Sequence, residues 1–158
     1  MSLAELRSIG LEEMDEEAIR NFLTSQGTGV LGLPAEGPPY MLPMSFGYDG
    51  SSLYFTFVLG ADSRKEAMAE AAEVASFLVY QIDTVFQWQS VTVTGPIREV
   101  SEAKWEGLAD LMETAWRPAL FEDAELSRGV AVYELVVEEQ SGVRHTGLPP
   151  GFAPGEGD

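Results

Sequence analysis

The 158-residue sequence contains no cysteine and a single histidine, His145. Without cysteine the chain forms no disulfide, carries no thiol nucleophile and offers no cysteine-based metal site. A single histidine also leaves few of the nucleophile–base pairs on which hydrolases depend. These absences argue against a hydrolase and against a metal cluster.

Positive charge is scarce in this chain. Nine Lys and Arg residues stand against twenty-six Asp and Glu residues, which gives a formal net charge of −17. Nucleic acids and anionic membrane surfaces both require a basic face, so we expect neither as a partner. Because salt screens self-repulsion, the composition fits a cytoplasmic protein of a salt-loving, halophilic cell. An acidic protein of a mesophile is the alternative.

Long apolar runs are also missing. No run reaches the length of a transmembrane helix. The N-terminus lacks the basic segment followed by an apolar segment that marks a signal peptide, so we expect a cytoplasmic protein. The length suits one domain, which we place at residues 1–145, followed by a flexible tail rich in Gly and Pro at 146–158.

The remaining pattern predicts many short strands separated by turns. Pro43 lies inside one predicted strand and indicates an edge or a bulge, and Asp49-Gly50 is typical of a hairpin turn. The predicted strands cover residues 29–33, 40–48, 53–59, 74–82, 89–100 and 130–139, and the predicted helices cover 15–26, 61–73 and 101–114. This order predicts a mainly β fold, a six-stranded antiparallel barrel with flanking helices.

The segment ADSRKEAM, residues 61–68, places two of the scarce cations at the start of a predicted helix. Ser63 and Glu66 match a capping box, which explains both without any function. Arg64 and Lys65 are unexplained by that motif, because cations in the first turn cost about 0.3–1 kcal/mol each. Free N–H groups and two cations together favour an anion such as a phosphate.

Two strands just upstream, YMLPMSF and LYFTF, carry aromatic and apolar residues around Ser45 and Thr56. Such a lining is typical of a site for a flat heterocycle. Taken alone, Met41 or Phe55 is better explained as a residue of the barrel core than as part of a ligand site.

A further segment, WQSVTVTG at 88–95, places Gln89 and Ser90 at the entrance of a long strand. Either side chain could bond a phosphate or a carbonyl group. When the segment is taken alone, polar residues at a solvated strand entrance are the better explanation of it.

The order of these motifs, P-x-S-F, L-Y-F-T, S-R-K and W-Q-S-V-x-V-x-G, resembles the pyridoxamine 5′-phosphate oxidase-like, FMN-binding split-barrel family. The likeness runs from about residue 14 to residue 100. It implies a split barrel that forms a homodimer with FMN at the subunit interface, and an Arg64–Lys65 pair that holds the phosphate. The cofactor-binding residues that it implies are Met41, Pro43, Met44, Ser45, Phe46, Phe55, Thr56, Ser63, Arg64, Lys65, Gln89 and Ser90. The spacing to Gly95 favours Ser90 and the chemistry favours Gln89, so both are kept.

The resemblance also implies the reaction class. FMN carries the chemistry in such proteins, so we expect two-electron transfer from a reduced nicotinamide or another donor to a small oxidant, with no catalytic side chain assigned. The C-terminal EEQSGVRHTGLPPG does not match the Arg- and His-containing segment of the true oxidases, so oxidation of vitamin B6 is not implied. We expect His145 to be exposed near the tail.

Three alternatives remain open at this point. The first is a reductase that uses a deazaflavin instead of FMN. The second is a carrier or sensor that binds flavin or haem without turnover, with His145 as a possible haem ligand. The third is a barrel with an empty site that only dimerises.

Overall fold

A computed structural model describes residues 2–58, 64–112 and 129–147 of the chain. Strands dominate it, and a 3-10 turn at Glu102–Lys104 leads into the last helix. The elements in chain order are α1 (Leu3–Ser8), β1 (Leu11–Glu13), α2 (Glu16–Ser25), β2 (Thr28–Leu33), β3 (Tyr40–Ser45), β4 (Gly47–Tyr48), β5 (Ser52–Val58), α3 (Arg64–Ala71), β6 (Val74–Thr84), β7 (Gln87–Val100), α4 (Trp105–Met112), β8 (Val130–Val136) and β9 (Glu139–His145).

The strands form one antiparallel, curled sheet in the order β3-β2-β6-β7-β8-β5-β4, and β9 pairs with both β7 and β1. The first part of β7 pairs with β6 and β9, and its last four residues, 97–100, pair with β8. Gly95 lies close to the point where the partners of β7 change from β6 and β9 to β8. A Cβ atom there would lie 1.6 Å from the carbonyl oxygen of Val136, so only glycine allows this close approach.

The core lies on the concave side of the curled sheet. Phe77 lies at its centre, with ring centroids 4.9 Å from Phe55 and 5.3 Å from Phe46. Helix α2 adds three buried side chains, Ile19, Phe22 and Leu23, along one face. Complete burial of side chains of this size contributes roughly 1.5–3 kcal/mol each.

Helix α2 begins as the sequence predicts. Asp15 is its N-cap, and its Oδ1 accepts a 2.8 Å hydrogen bond from the backbone N–H of Ala18. The prediction for Pro43 is also confirmed, because β3 is an end strand of the described sheet and pairs with β2 alone among the described strands. None of the helices in the described ranges is long and apolar enough to cross a membrane.

The mainly β, antiparallel barrel class is confirmed, but the described residues form nine strands instead of six. The predicted strand 40–48 divides at Phe46, because this side chain turns into the core and its N–H bonds to the carbonyl oxygen of Gly27. Strands β1 and β9 were missed. Their sequences are largely polar, and they form because β7 offers β9 a free edge along 88–94.

The prediction for His145 is therefore wrong. His145 ends strand β9 and pairs with Trp88 on one side and Leu11 on the other, and it is only partly exposed. The predicted tail lies outside the described residues from position 148 onward. Ser63 and the side chain of Glu66 also lie outside them, so the predicted capping box stays a prediction.

Candidate functional site

The sheet formed by β3, β2, β6, β7 and β9 has two faces with different chemistry. Residues that lie directly opposite each other in antiparallel strands point to the same face. Pro43 lies opposite Val30, Val30 opposite Leu78, and Leu78 opposite Thr92. This row points away from the core, while Leu42, the neighbour of Pro43, points into it.

We call the convex side of these strands the outer face. It presents Met41, Tyr80 and Ile82 with 60%, 52% and 66% of their area exposed. The outer-face residues of β2, β3, β6 and β7 are Thr28, Val30, Gly32, Met41, Pro43, Ser45, Val74, Ser76, Leu78, Tyr80, Ile82, Trp88, Ser90, Thr92 and Thr94. None of these residues is charged, although the chain carries twenty-six acidic residues.

Thr56 on β5 has an unsatisfied hydroxyl group. Its Oγ1 atom is buried, and no group in the described part of the chain forms a hydrogen bond with it. Its neighbours Phe55 and Phe57 point the other way, into the core. A buried hydroxyl without a partner costs about 1–3 kcal/mol. Thr56 is thus a polar group placed where a ligand atom could bond it.

The predicted phosphate clamp follows β5 in the chain. Arg64 and Lys65 are the first two residues of α3, so their backbone N–H groups belong to a helix N-terminus, as the sequence predicts. Met68 and Ala69 pack against the core and anchor this helix. Ser63 and the side chains of Arg64 and Lys65 lie outside the described residues.

Gln89 and Ser90 lie on opposite faces of β7. Ser90 is on the outer face, opposite Tyr80 and Val143. Gln89 points the other way and lines a pocket of about 430 Å³ beside α2, together with Asn21 and Arg144. The structure therefore brings Ser90, and not Gln89, to the face that carries Met41, Pro43 and Ser45.

Three other predicted site residues point into the barrel. Phe46 and Phe55 are completely buried against Phe77, and Met44 packs against the same core. Their side chains pack in the core on the inner side of the strands. Only their main-chain atoms could reach a ligand outside the barrel.

The sequence analysis missed a polar row on the outer side of β5, β8 and β7. Tyr54 lies opposite Glu134, and Glu134 lies opposite Arg98. The phenol of Tyr54 lies 2.8 Å from Glu134 and 3.1 Å from Asp49, and Arg98 Nη2 lies 2.7 Å from Glu134. Burial raises the pKa of Tyr54, and the hydrogen bond to Glu134 raises it further. These residues are far apart in sequence, so no local pattern could have found them.

His145 is held by aromatic neighbours. Its ring lies 6.1 Å from the ring of Phe86 and 6.4 Å from that of Trp88, and Nδ1 is within hydrogen-bond distance of the Phe86 carbonyl oxygen. The pocket beside it measures about 170 Å³. This volume is below the roughly 300–1,000 Å³ of sites for drug-sized ligands.

A family model described as pyridoxamine 5′-phosphate oxidase matches residues 15–144 of the chain. A search among curated proteins finds no match. The fold is similar to that of a FAD-binding protein from Mesorhizobium loti, with a TM-score of 0.67, 21% identity, and 86% of this chain and 99% of that chain covered.

Two further solved structures share the fold. A FAD and haem binding protein from Mycobacterium smegmatis has a TM-score of 0.70 and 18% identity, with 89% of this chain and 75% of that chain covered. A flavocytochrome from Azotobacter vinelandii has a TM-score of 0.68 and 20% identity, with 89% of this chain and 71% of that chain covered. At these identities the likeness establishes the fold alone.

Proposed function

The chain belongs to the pyridoxamine 5′-phosphate oxidase family, and on that premise we propose that it is an FMN-binding oxidoreductase that carries out two-electron transfer on a small substrate. The observation that carries the proposal is the buried hydroxyl of Thr56, which has no hydrogen-bond partner among the described residues. The resemblance to the family implies a cofactor contact at this position. A ligand that accepts a hydrogen bond from Thr56 would offset the cost of its burial.

The phosphate of FMN would bind at the start of α3. Arg64 and Lys65 provide two cations there, and the first N–H groups of a helix have no partner within the helix, so they could donate to phosphate oxygens. Cations at this helix end are unfavourable unless an anion accompanies them. A bound phosphate thus accounts for the two residues that a capping box leaves unexplained.

The outer face would support the ring system and a second copy of the chain. Two chains of net charge −17 repel each other, and they can approach most closely through a surface that carries no charge. The outer face of β2, β3, β6 and β7 is such a surface, and it exposes Met41, Tyr80 and Ile82 to water in the single chain. We therefore propose a homodimer that meets on the outer face and completes the flavin site.

The bound flavin would supply the electron transfer. The protein would bind and orient the flavin and exclude water from it. Ser45 and Ser90 place hydroxyl groups on the outer face, where they could bond the polar edge of the ring. The outer-face residues of β2, β3, β6 and β7 include no Asp, Glu, Lys or Arg. We therefore expect no carboxyl or ammonium group of these four strands to act as a general acid.

FAD is the second candidate cofactor. The relatives from Mesorhizobium loti and Mycobacterium smegmatis are named as FAD-binding proteins. FAD contains the FMN group with its phosphate, so the same residues would bind it. The pocket beside His145 measures about 170 Å³, a volume that does not favour a haem there.

The first experiment is an absorbance spectrum of the purified protein, with mass spectrometry of the compound released on denaturation. We expect a flavin spectrum and the mass of FMN, whereas the mass of FAD would favour the second candidate. Arg64→Gln with Lys65→Gln should bind FMN at least about a hundredfold more weakly, because each charged hydrogen bond contributes roughly 1.5–3 kcal/mol. Arg7→Gln with Arg20→Gln removes the same charge and serves as the control.

Thr56→Val directly tests the role of the buried Thr56 hydroxyl, on which the proposal rests. The variant keeps the shape of the side chain and removes the hydroxyl. We expect about tenfold weaker FMN binding, because one hydrogen bond is lost, and an apo protein at least as stable as the wild type, because the unsatisfied group is gone. Unchanged FMN affinity would disprove the proposed contact. Flavin reduction by NADPH or NADH, followed at 450 nm, would separate an enzyme from a carrier.

A further inference from the structure

A pocket of about 560 Å³ lies on the outer side of β5, β8 and β7, beneath α4, and the proposed flavin site does not use it. The polar row of Tyr54, Glu134 and Arg98 forms one wall, and α4 with the turn before it forms another. Val100 and Leu108 contribute apolar surface. The volume lies within the range of sites for small molecules.

Two cations and two carboxylates border the pocket, namely Arg98, Lys104, Glu99 and Glu134. Glu134 is engaged by Arg98, which donates from both Nε and Nη2 to the same carboxylate oxygen. Glu99 alternates with Arg98 along β7 and points to the other face of the strand. Within the described residues, Lys104 forms no ion pair, so it is the cation of this lining that a ligand could engage.

Other hydrogen-bond donors stand beside Lys104. Ser101 precedes the 3-10 turn, but its side chain does not cap it, so the hydroxyl can donate to a ligand. Arg98 has five N–H donors and uses two nitrogens on Glu134, which leaves N–H groups of its exposed guanidinium for a ligand. The three side chains offer donors from two walls of one pocket, and an anionic group is the ligand that accepts them all.

Gly107 keeps the pocket open. It lies inside the eight-residue helix α4, where glycine is less favourable than alanine. A Cβ atom at this position would meet no atom within 4 Å, so packing does not require the glycine. A larger side chain at position 107, which borders the pocket, would occupy the space of a ligand.

We propose that this pocket binds a small molecule that combines an anionic group, a carboxylate or a phosphate, with an apolar body. Lys104, Ser101 and Arg98 bind the anionic group. The apolar body lies on Val100, Leu108 and the ring of Tyr54. The residues that line this pocket do not include Thr56, Arg64 or Lys65, to which we assign the flavin.

The test is a titration of the full chain, at fixed salt, with three probes followed by backbone amide shifts in NMR spectra. Benzoate carries a carboxylate, phenyl phosphate carries a phosphate, and benzyl alcohol is the uncharged control. We expect one or both anions to shift the amides around Ser101, Lys104 and Leu108, and benzyl alcohol to bind at least about tenfold more weakly. The tighter of the two anions identifies the anionic group.

Two variants with matched controls decide the assignment. Lys104→Gln should weaken the binding of the preferred anion about tenfold or more, whereas Arg20→Gln removes one charge from α2 and should leave it unchanged. Gly107→Leu should abolish binding by filling the pocket, whereas Gly107→Ala should retain it. Equal binding of benzoate, phenyl phosphate and benzyl alcohol, or unchanged binding to the Lys104→Gln variant, would overturn the proposal. Arg64→Gln with Lys65→Gln should bind the anion normally, which keeps this test independent of the flavin.

Discussion

At the scale of single residues, Tyr54 has the most unusual chemistry in the described part of the chain. Its one hydroxyl hydrogen faces two carboxylates, Glu134 at 2.8 Å and Asp49 at 3.1 Å. Only 8% of the residue is exposed, so water cannot stabilise a phenolate there. The folded protein therefore holds the phenol proton more tightly than the unfolded chain does.

This difference predicts how stability changes at high pH. The unfolded tyrosine loses its proton near pH 10, and the folded Tyr54 keeps it to higher pH because its pKa is raised. The unfolded state then binds fewer protons, so the free energy of unfolding should fall as the pH rises above about 10. Denaturant unfolding of the wild type and of Tyr54→Phe between pH 9 and 11 measures this fall in the free energy of unfolding.

Tyr54→Phe should lose that component of the pH dependence. In the wild type, the tyrosinate absorbance at 295 nm should include a late component from Tyr54, and the variant should lack that component. A Tyr54 that titrates together with the exposed tyrosines would contradict the expected shift. Asp49 keeps hydrogen bonds from the N–H groups of Ser51 and Ser52, and Glu134 keeps Arg98, so neither carboxylate is left unpaired in the variant.

At the scale of elements, β7 organises the fold. It is fourteen residues long, and it connects the part of the sheet that carries the outer face to the part that carries the pocket beneath α4. The connection requires the chain that joins β8 to β9 to approach β7 very closely. The N–H of Glu138 bonds to the carbonyl oxygen of Thr94, and Gly95 lies directly against Val136.

Gly95→Ala should therefore destabilise the protein by about 3 kcal/mol, because the added methyl group must displace the backbone of β8. Gly107→Ala is the matched control. Its methyl group meets no atom within 4 Å, and replacing a helical glycine should stabilise the fold by up to about 1 kcal/mol. Urea unfolding at one protein concentration measures both. A Gly95→Ala variant as stable as the wild type would show that the strands can separate at this point without cost.

At the scale of the whole molecule, charge is distributed unevenly. The chain carries twenty-six acidic residues, and the outer face of β2, β3, β6 and β7 carries none of them. Five of the exposed large apolar side chains lie on the outer side of this sheet, namely Met41, Val74, Tyr80, Ile82 and Val143. A patch of this kind on a charged molecule marks an interaction surface.

The proposed homodimer predicts a clear effect of charge on this surface. Ile82→Glu places a carboxylate on the outer face, where two copies would bring like charges together, and it should convert the dimer to a monomer. Because the flavin site is completed by the second copy, FMN should be lost with it. Ile9→Glu is the control, since Ile9 is 54% exposed and lies outside the outer face.

Sedimentation velocity at a fixed salt concentration measures the mass of each variant. The wild type and Ile9→Glu should sediment as dimers, and Ile82→Glu as a monomer. A wild type that sediments as a monomer, or an Ile82→Glu variant that remains a dimer, would reject the outer face as the interface.

Local sequence determined most of the elements. Asp15 identified the start of α2, Pro43 indicated an edge or a bulge, and short apolar segments between turns indicated β5, β7 and β8. These signals succeed because caps, turns and short strand segments depend on neighbours in the chain. The S-R-K and W-Q-S-V motifs, which are also local, indicated the family. By contrast, β9 has no alternating pattern, and it forms only because β7 has a free edge.

Only the tertiary structure decided which of these residues share a surface. The sequence could not separate Gln89 from Ser90, and the register of β7 places them on opposite faces. It could not show that the hydroxyl of Thr56 is buried without a partner in the described part of the chain, or that Tyr54, Glu134 and Arg98 form one row. The physical reason is that strand register is a long-range property, set where distant segments pair, and a shift of one residue reverses every side chain.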